Sequence, residues 1–408
     1  MAGPAAGADP APLALGSRFA ARLVQAWGLS KPNRLARALQ PLSWLYGALV
    51  ALRHSAYRHG WLATHRAPVP VLVVGNLVAG GAGKTPTVLA LLPRLRALGF
   101  TPGVVSRGHG RQQPARVCCV RNASSATEVG DEPLLIHIRG RVPVAVGADR
   151  LAAAQALCRE HPEVDLLVAD DGLQHLRLAR DAELLVFDDR GAGNGLLLPA
   201  GPLRQPMPRR LPASSAVLYS VPKASTALAG STGQRRLRGV LPLADWLQGL
   251  SAHSADPAHS AHSAHSAHSA HSSPPDPAQA TDPWAALRGR PVLAAAGLAR
   301  PEAFFSMLEQ LGLQIERLPL PDHARFEPLP WPADTADVVV TEKDAVKLGV
   351  AAPPAPAVPP PTAPSPRQAT RIWVATLDFE PEPAFDDALR RLCLHFRPAT
   401  APPNKPKP

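Results

Sequence analysis

Short apolar runs alternate with helical segments over much of the chain. Helices are predicted from Pro86 to about Gly99 and from Arg150 to Glu160. Five runs that are apolar on both faces predict strands: VPVLVVGN (69–76), GVVSRG (103–108), RVPVAVG (141–147), DLLVADD (165–171) and AELLVFDD (182–189). Strands of this kind belong in a parallel sheet that is covered on both sides. The pattern therefore predicts a doubly wound α/β domain at residues 68–210.

The periodicity weakens after about residue 210 and then resumes. Residues 291–312 predict a strand, a turn and a helix, and residues 337–346 and 371–379 predict two further strands. These segments predict a second, smaller α/β lobe at residues 211–395. We therefore expect a cleft between the two lobes.

Two low-complexity segments interrupt the second lobe. Residues 252–280 contain tandem Ala-His-Ser triplets, and residues 352–366 are rich in proline. Histidine-rich tracts can bind metal ions, but the three-residue period and the Ala, Ser and Pro surroundings favour surface linkers. Residues 1–16 and 396–408 have similar low-complexity composition and are predicted to be disordered.

Residues 17–67 predict a helical region with an unusual apolar segment, PLSWLYGALVAL (41–52). Arg53, Arg58 and Trp61 follow the segment, and further arginines precede it. Twelve residues are too few to cross a bilayer, which needs about 20. A short apolar helix flanked by cations and aromatic residues suits a membrane interface. An ordinary amphipathic helix packed on the next domain explains the pattern equally well.

Net charge and composition narrow the class of partner. The chain carries a formal charge of +11, has a sequence pI of about 10.1 and contains only 5% aromatic residues. A basic protein favours acidic partners, but no basic stretch is interleaved with the aromatic residues that stack nucleic-acid bases. Phosphorylated small molecules and an anionic lipid surface are therefore predicted, and nucleic acid is not. The four cysteines show no metal-ligand spacing.

A glycine-rich loop follows the first predicted strand. It consists of Val78, Ala79, Gly80, Gly81, Ala82, Gly83, Lys84 and Thr85. Glycines free the backbone to wrap its N–H groups around phosphate oxygens, the lysine reaches the outer phosphates, and the threonine hydroxyl can hold Mg²⁺. Valine replaces the first glycine of the usual pattern, but the loop lies between a strand and a helix, as the mechanism requires. It predicts a P-loop NTPase-like nucleotide site.

Two adjacent carboxylates, Asp170 and Asp171, end the strand predicted at 165–171. Buried carboxylates are costly unless they meet a cation. The carboxyl ends of parallel strands are also where such sheets bind ligands. Together with Thr85, the two aspartates predict a Mg²⁺ site beside the loop.

Eight segments give the chain a specific family resemblance. They are PLSWLYG (41–47), RAPVPVLVVGNLVAGGAGKTP (66–86), GVVSRGHG (103–110), GDEPLLI (130–136), DDGLQHLRLARDAELLVFD (170–188), GNGLLLPAGPLR (193–204), PDHARF (321–326) and TEKDAVK (341–347). In this order they resemble the tetraacyldisaccharide 4′-kinase family, the lipid A 4′-kinases of Gram-negative bacteria. The resemblance covers residues 41 to about 380, apart from the two insertions.

The resemblance implies an activity and a location. Members transfer the γ-phosphate of ATP, with Mg²⁺, to the 4′-hydroxyl of a lipid A disaccharide 1-phosphate. They are monotopic proteins on the cytoplasmic face of the bacterial inner membrane. Matched motif by motif, Gln174 joins Asp170 and Asp171 near the metal, and Asp131 and His323 form a catalytic pair. Because this pair spans two lobes, we expect contact only after the lobes close.

Two other classes of P-loop protein match parts of the sequence. A membrane-localised ATPase switch uses a similar loop, but it has a lysine where Ala79 stands and lacks the DDGLQH segment. A GTPase would read guanine through an N/T-K-x-D motif, which residues 341–344 resemble, but here the lysine comes one place late. Turnover of ATP without lipid would favour the first class, and nucleotide competition would test the second.

Overall fold

The computed structural model describes residues 15–81, 83–251, 282–348 and 370–396. The predicted insertions at 252–280 and 352–366 lie outside the described residues. So do Ala82, residues 1–14 and residues 397–408.

Three helices come first along the chain, and strands and helices are interspersed after them. The helices are α1 (Leu15–Trp27), α2 (Arg34–Ala38), α3 (Gln40–Arg58), α4 (Lys84–Ala97), α5 (Ala126–Val129), α6 (Asp131–Gly140), α7 (Arg150–Glu160), α8 (Leu243–Ser251), α9 (Pro301–Gln310), α10 (Glu342–Leu348) and α11 (Ala384–Cys393). The strands are β1 (Val71–Gly75), β2 (Pro102–Ser106), β3 (Cys118–Cys119), β4 (Val144–Val146), β5 (Leu166–Asp170), β6 (Ala182–Phe187), β7 (Ser215–Tyr219), β8 (Gly233–Pro242), β9 (Pro291–Ala296), β10 (Gln314–Pro319), β11 (Asp337–Thr341) and β12 (Arg371–Pro381).

Seven strands form the first sheet, in the order β3-β4-β2-β5-β1-β6-β7. All neighbours are parallel except β3, which runs antiparallel to β4. Leu72 and Val74 of β1 enter one hydrophobic cluster, whereas Val71 and Val73 enter another. The central strand is thus buried on both faces, which is why it reads as a continuous apolar run. The predicted doubly wound domain is confirmed.

Five strands form the second sheet, in the order β10-β9-β11-β12-β8. The strands are parallel except for β8, which is antiparallel to β12. The predicted second α/β lobe is confirmed, but β7 (Ser215–Tyr219), which falls within its predicted range of 211–395, belongs to the first sheet. Strands β8 and β10 were not predicted. Both are edge strands with many exposed positions, so they carry polar residues and give no apolar run.

The N-terminal helices pack on the loop at residues 193–204. Ser43 Oγ donates to the carbonyl of Leu197 at 2.7 Å and accepts from the amide of Ala200 at 2.9 Å. Trp27 Nε1 donates to the carbonyl of Pro199 at 2.9 Å. The opposite side is exposed, and Trp44 keeps 67% of its surface accessible. Among the helices that the structure describes, none has the length and apolarity to cross a membrane.

Charged side chains join the two lobes. Arg139 of α6 pairs with Glu342 of α10 and with Asp378 of β12, and its Nη1 donates to the carbonyl of Leu377 at 3.0 Å. Glu342 is buried and also accepts from the amide of Leu377 at 3.1 Å. These contacts hold the second sheet against the first domain.

Candidate active site

The glycine-rich loop runs from the end of β1 to the start of α4. Gly80 and Gly83 adopt φ of 89° and 76°, which glycine reaches without steric cost. Buried Asn76 braces the loop from inside, because its Nδ2 donates to the carbonyl of Gly80 at 3.1 Å. Lys84 Nζ donates to Asn76 Oδ1 at 3.4 Å. The side chain of Lys84 therefore points back across the loop, toward Asn76.

The outer side of the loop is fixed by Arg190, which follows β6. Its guanidinium donates to the carbonyls of Ala79 at 3.3 Å and Gly81 at 2.7 Å, and it pairs with Asp188 at 2.8 Å. These bonds satisfy loop carbonyls. The amide of Ala79 donates to the carbonyl of Pro202 at 2.8 Å, so a phosphate would be bound by other N–H groups of the loop. Val78, the first residue of the predicted loop, is buried and pairs with Leu203.

The predicted acidic pair lies at the carboxyl end of β5, beside β1: Asp170 is the last residue of the strand and Asp171 follows it. Lys84 Nζ is 3.5 Å from Asp171 Oδ1, and Arg204 Nη1 lies 3.2 Å from the same oxygen. Burial alone would raise the pKa of Asp171, but the charges of Lys84 and Arg204 hold it below its ordinary value. Asp171 has a φ of 49°, an uncommon conformation for a residue other than glycine. Such outliers are concentrated at functional sites.

Asp170 has the properties expected of a metal ligand. Its Oδ2 accepts from Ser106 Oγ at 3.2 Å, whereas its buried Oδ1 accepts no hydrogen bond from any residue that the structure describes. Burial, followed by the charge of Glu132, raises the pKa of Asp170. A divalent cation would offset both effects. The oxygen ligands of Asp170, Asp171 and Thr85 match the preference of Mg²⁺, which is usually bound by one or two carboxylates together with substrate phosphates.

Two observations show that the protein itself supplies few ligands for a metal ion. Among the described residues there is no cluster of three His, Cys, Asp or Glu side chains able to hold an ion. Gln174 contacts partners of the acidic pair and of the loop. Its Oε1 accepts from Arg204 at 3.4 Å, and its Nε2 donates to the carbonyl of Asn76 at 3.4 Å. In this geometry Gln174 contacts the groups that hold the acids and the loop.

Asp131 and His323 are in direct contact. His323 Nδ1 lies 3.1 and 3.0 Å from the two carboxylate oxygens of Asp131, the first residue of α6. The hydrogen bond and charge of Asp131 raise the pKa of His323, against the effect of burial. Burial alone would raise the pKa of Asp131, but the hydrogen bond from His323 and the nearby lysine charges lower it. The pair is therefore held with Nδ1 toward the carboxylate.

The expectation that this contact requires lobe closure is wrong. Helices α6 and α10 already pack together, and Lys347 Nζ of α10 lies 3.6 Å from Asp131. Lys343 links the lobes again, at 3.0 Å from both Glu132 and Asp322. His323 has a φ of 60°, a second strained residue in the site. The ring of His109 lies 4.9 Å from that of His323.

One cavity of about 210 Å³ is lined by residues of both lobes that neighbour these groups. Gly81, Gly83, Lys84 and Thr85 line one part of it. Glu132 and Asp322, the chain neighbours of Asp131 and His323, line another, and Leu298, Ala299, Phe304 and Met307 add an apolar wall from the second lobe. A small molecule bound here would contact the loop and the region of the carboxylate–histidine pair together.

The geometry of residues 341–344 argues against guanine recognition. Asp344 is fully buried, and its carboxylate accepts from Thr341 Oγ1 at 2.8 Å and from the amide of Gly297 at 3.0 Å. It also pairs with Lys347 at 2.8 Å. The carboxylate of Asp344 is thus occupied by contacts within the second lobe and is not available to a base.

Comparison with known proteins decides the family. The sequence profile of LpxK, tetraacyldisaccharide-1-P 4′-kinase, matches residues 35–394. The chain belongs to this kinase family. It is 50% identical over 383 residues to the tetraacyldisaccharide 4′-kinase of Methylibium petroleiphilum, covering 94% of this chain and 96% of that protein. It is 48% identical to the Leptothrix cholodnii tetraacyldisaccharide 4′-kinase, with 92% and 97% covered.

A solved structure shares the kinase fold. The crystal structure of the "apo" form of LpxK from Aquifex aeolicus in complex with ATP matches with a TM-score of 0.63 and 23% identity. The match covers 88% of this chain and 99% of that one. The predicted family is confirmed, and so is the predicted α/β fold with two lobes.

Residues that the sequence patterns did not single out complete the site. Asn76, Arg190 and Lys343 hold the loop and the carboxylate–histidine pair in place. Asn76 and Lys343 lie inside segments that carried the family resemblance, and Arg190 lies two residues after the end of another. The family resemblance could therefore have pointed to these residues, but they belong to no separate phosphate-binding or metal-binding motif.

Proposed function

We propose that the protein transfers the γ-phosphate of ATP to the 4′-hydroxyl of tetraacyldisaccharide 1-phosphate, which forms a lipid A precursor. The observation that carries this proposal is a cavity lined both by the glycine-rich loop and by Glu132 and Asp322, the chain neighbours of the Asp131–His323 pair. Family membership supplies the acceptor: the matching profile and relatives are named for this substrate.

The residues divide the reaction between the two ends of the cavity. Backbone N–H groups of the loop and Lys84 bind and orient the phosphates. Thr85, Asp170 and Asp171 would hold Mg²⁺, which supplies neutralisation of phosphate charge when bound. Asp131 fixes the tautomer of His323 with Nδ1 protonated, so Nε2 is the atom that accepts the proton of the sugar hydroxyl. The bond between O4′ and phosphorus then forms as the bond to ADP breaks.

We also propose that the N-terminal helices bind the cytoplasmic surface of the inner membrane. Ten of the 13 large hydrophobic side chains that are exposed in the described residues lie between Phe19 and Leu62. Arg53 and Arg58 lie on the same helix region, where cations attract anionic lipid. A protein held at this surface meets a lipid acceptor without extracting it into water.

The decisive experiment uses the purified full-length protein, γ-labelled ATP, Mg²⁺ and the disaccharide 1-phosphate lipid in detergent. We expect label at the 4′ position of the lipid. ATP hydrolysis that is independent of lipid, with no labelled lipid, would contradict the proposal and favour the ATPase switch.

A further inference from the structure

Arg235 of the second sheet lies against the glycine-rich loop of the first domain. It is the third residue of β8, and its side chain borders the cavity shared with Lys84 and Thr85. A β-carbon built on Gly83 would lie 2.0 Å from Nη2 of Arg235 and 2.6 Å from its Cζ. Only glycine at position 83 leaves room for this guanidinium. The close approach places a cation at the start of α4.

The guanidinium is held in place rather than free in solvent. Its Nη2 donates to Ser220 Oγ at 2.5 Å, and Ser220 is itself buried. Burial lowers the pKa of Arg235, and the charges of Asp188 and Asp189 act in the opposite direction. A guanidinium remains protonated in proteins, so the site contains a fixed, partly desolvated positive charge.

A positive charge in this position matches the chemistry of phosphate. The loop amides and the N-terminus of α4 attract phosphate oxygens to the surface that Arg235 contacts. The planar fork of a guanidinium binds such oxygens with two parallel hydrogen bonds. Phosphoryl transfer is accelerated mainly by groups that neutralise charge on the phosphates.

We propose that Arg235 is a further catalytic residue, which donates hydrogen bonds to the phosphates of ATP on the loop and stabilises their charge during transfer. The inference rests on the proposed function for the identity of the nucleotide and the reaction. It makes the second lobe part of the nucleotide site, so the site is complete only while β8 lies over Gly83.

The test compares Arg235→Ala and Arg235→Lys with a matched control, Arg236→Ala, in the full-length protein. Arg236 is the next residue of β8 and is exposed. We expect Arg235→Ala to lower kcat/KM for ATP by about 10²–10³-fold and to weaken ATP binding measured by calorimetry. AMP, which has no β- or γ-phosphate, should bind with nearly unchanged affinity. Arg235→Lys should recover part of the rate, and Arg236→Ala should match the unchanged protein.

Three results would overturn the inference. The first is an unchanged kcat/KM in Arg235→Ala. The second is tighter ATP binding, which would mean that the guanidinium competes with the phosphates for the loop. The third is an equal loss of ATP and AMP binding with a lower melting temperature, which would assign a structural role. The binding measurements need no lipid, so they test Arg235 separately from the acceptor assignment. A failure of the unchanged protein to label lipid would contradict only the proposed function.

Discussion

Replacing Asp131 by asparagine tests the carboxylate–histidine pair most directly. The substitution keeps the shape of a side chain that is 4% exposed, but it removes the charge that His323 Nδ1 contacts at 3.0 Å. That contact is the main reason that the pKa of His323 is raised. Without the carboxylate of residue 131, burial still lowers the pKa of His323, and the largest opposing effect is gone. The pKa of His323 should therefore fall, and its tautomer should no longer be fixed.

The sign of the pH dependence follows from the protonation state that the reaction needs. A general base must be neutral, so kcat/KM should rise with pH through the pKa of His323, which lies above its ordinary value of about 6.5. In Asp131→Asn the rise should move to lower pH while the plateau rate falls. The raised pKa also stabilises the fold below pH about 6.5, and this contribution is lost as pH rises through the folded-state pKa.

The expected magnitude comes from the loss of a positioned base, about 10²–10⁴-fold in rate. If Asp131→Ala and His323→Ala each cost about 10³-fold, independent residues would together cost about 10⁶-fold. A pair that acts as one unit would cost only about 10³-fold in the double variant. The difference corresponds to about 4 kcal/mol of coupling. Lipid phosphorylation across a pH series measures both effects.

Two outcomes would refute this reasoning. A pH profile that is unmoved by Asp131→Asn would show that His323 is not the titrating base. Multiplicative losses in the double variant would show that the two residues act separately. Melting temperatures of all variants provide the control for misfolding.

Three further predictions follow from other parts of the structure. Lys84→Ala should lower kcat by at least about 10²-fold with an unchanged melting temperature, and near-normal lipid phosphorylation by the folded variant would sink the role of the loop. Replacing exposed Trp44 and Trp61 by serine should weaken sedimentation with anionic vesicles, whereas equal pelleting would place the membrane contact elsewhere. Arg139→Ala leaves the buried carboxylate of Glu342 without its guanidinium and should lower the free energy of unfolding by about 3 kcal/mol in denaturant titrations; a loss below about 1 kcal/mol would contradict the buried-pair argument.

The sequence predicted the strands whose residues are buried at every position, because such strands appear as runs of apolar residues. Strand β1 is apolar at every position because both of its faces are covered, and β5 and β11 are also buried throughout. Strand β8 could not be predicted in this way. Gln234, Arg235 and Arg236 alternate between exposed and half-buried positions at the edge of the second sheet. Because these side chains are polar, the segment lacks the apolar pattern from which a strand is predicted.

In the candidate site, single residues could be predicted from the sequence, but the pairs that they form could not. The chemistry of Lys84, Asp171 and His323 was recognisable from their motifs, but their partners lie far away in sequence. Asp131 and His323 are 192 positions apart, and their contact depends on the packing of α6 against α10. Two of these residues also adopt left-handed backbone conformations that their types disfavour. Strain of this kind persists only where surrounding contacts enforce it. The lysine, arginine and histidine bonds of the site supply those contacts, so the same interactions that position the chemistry also stabilise the local backbone.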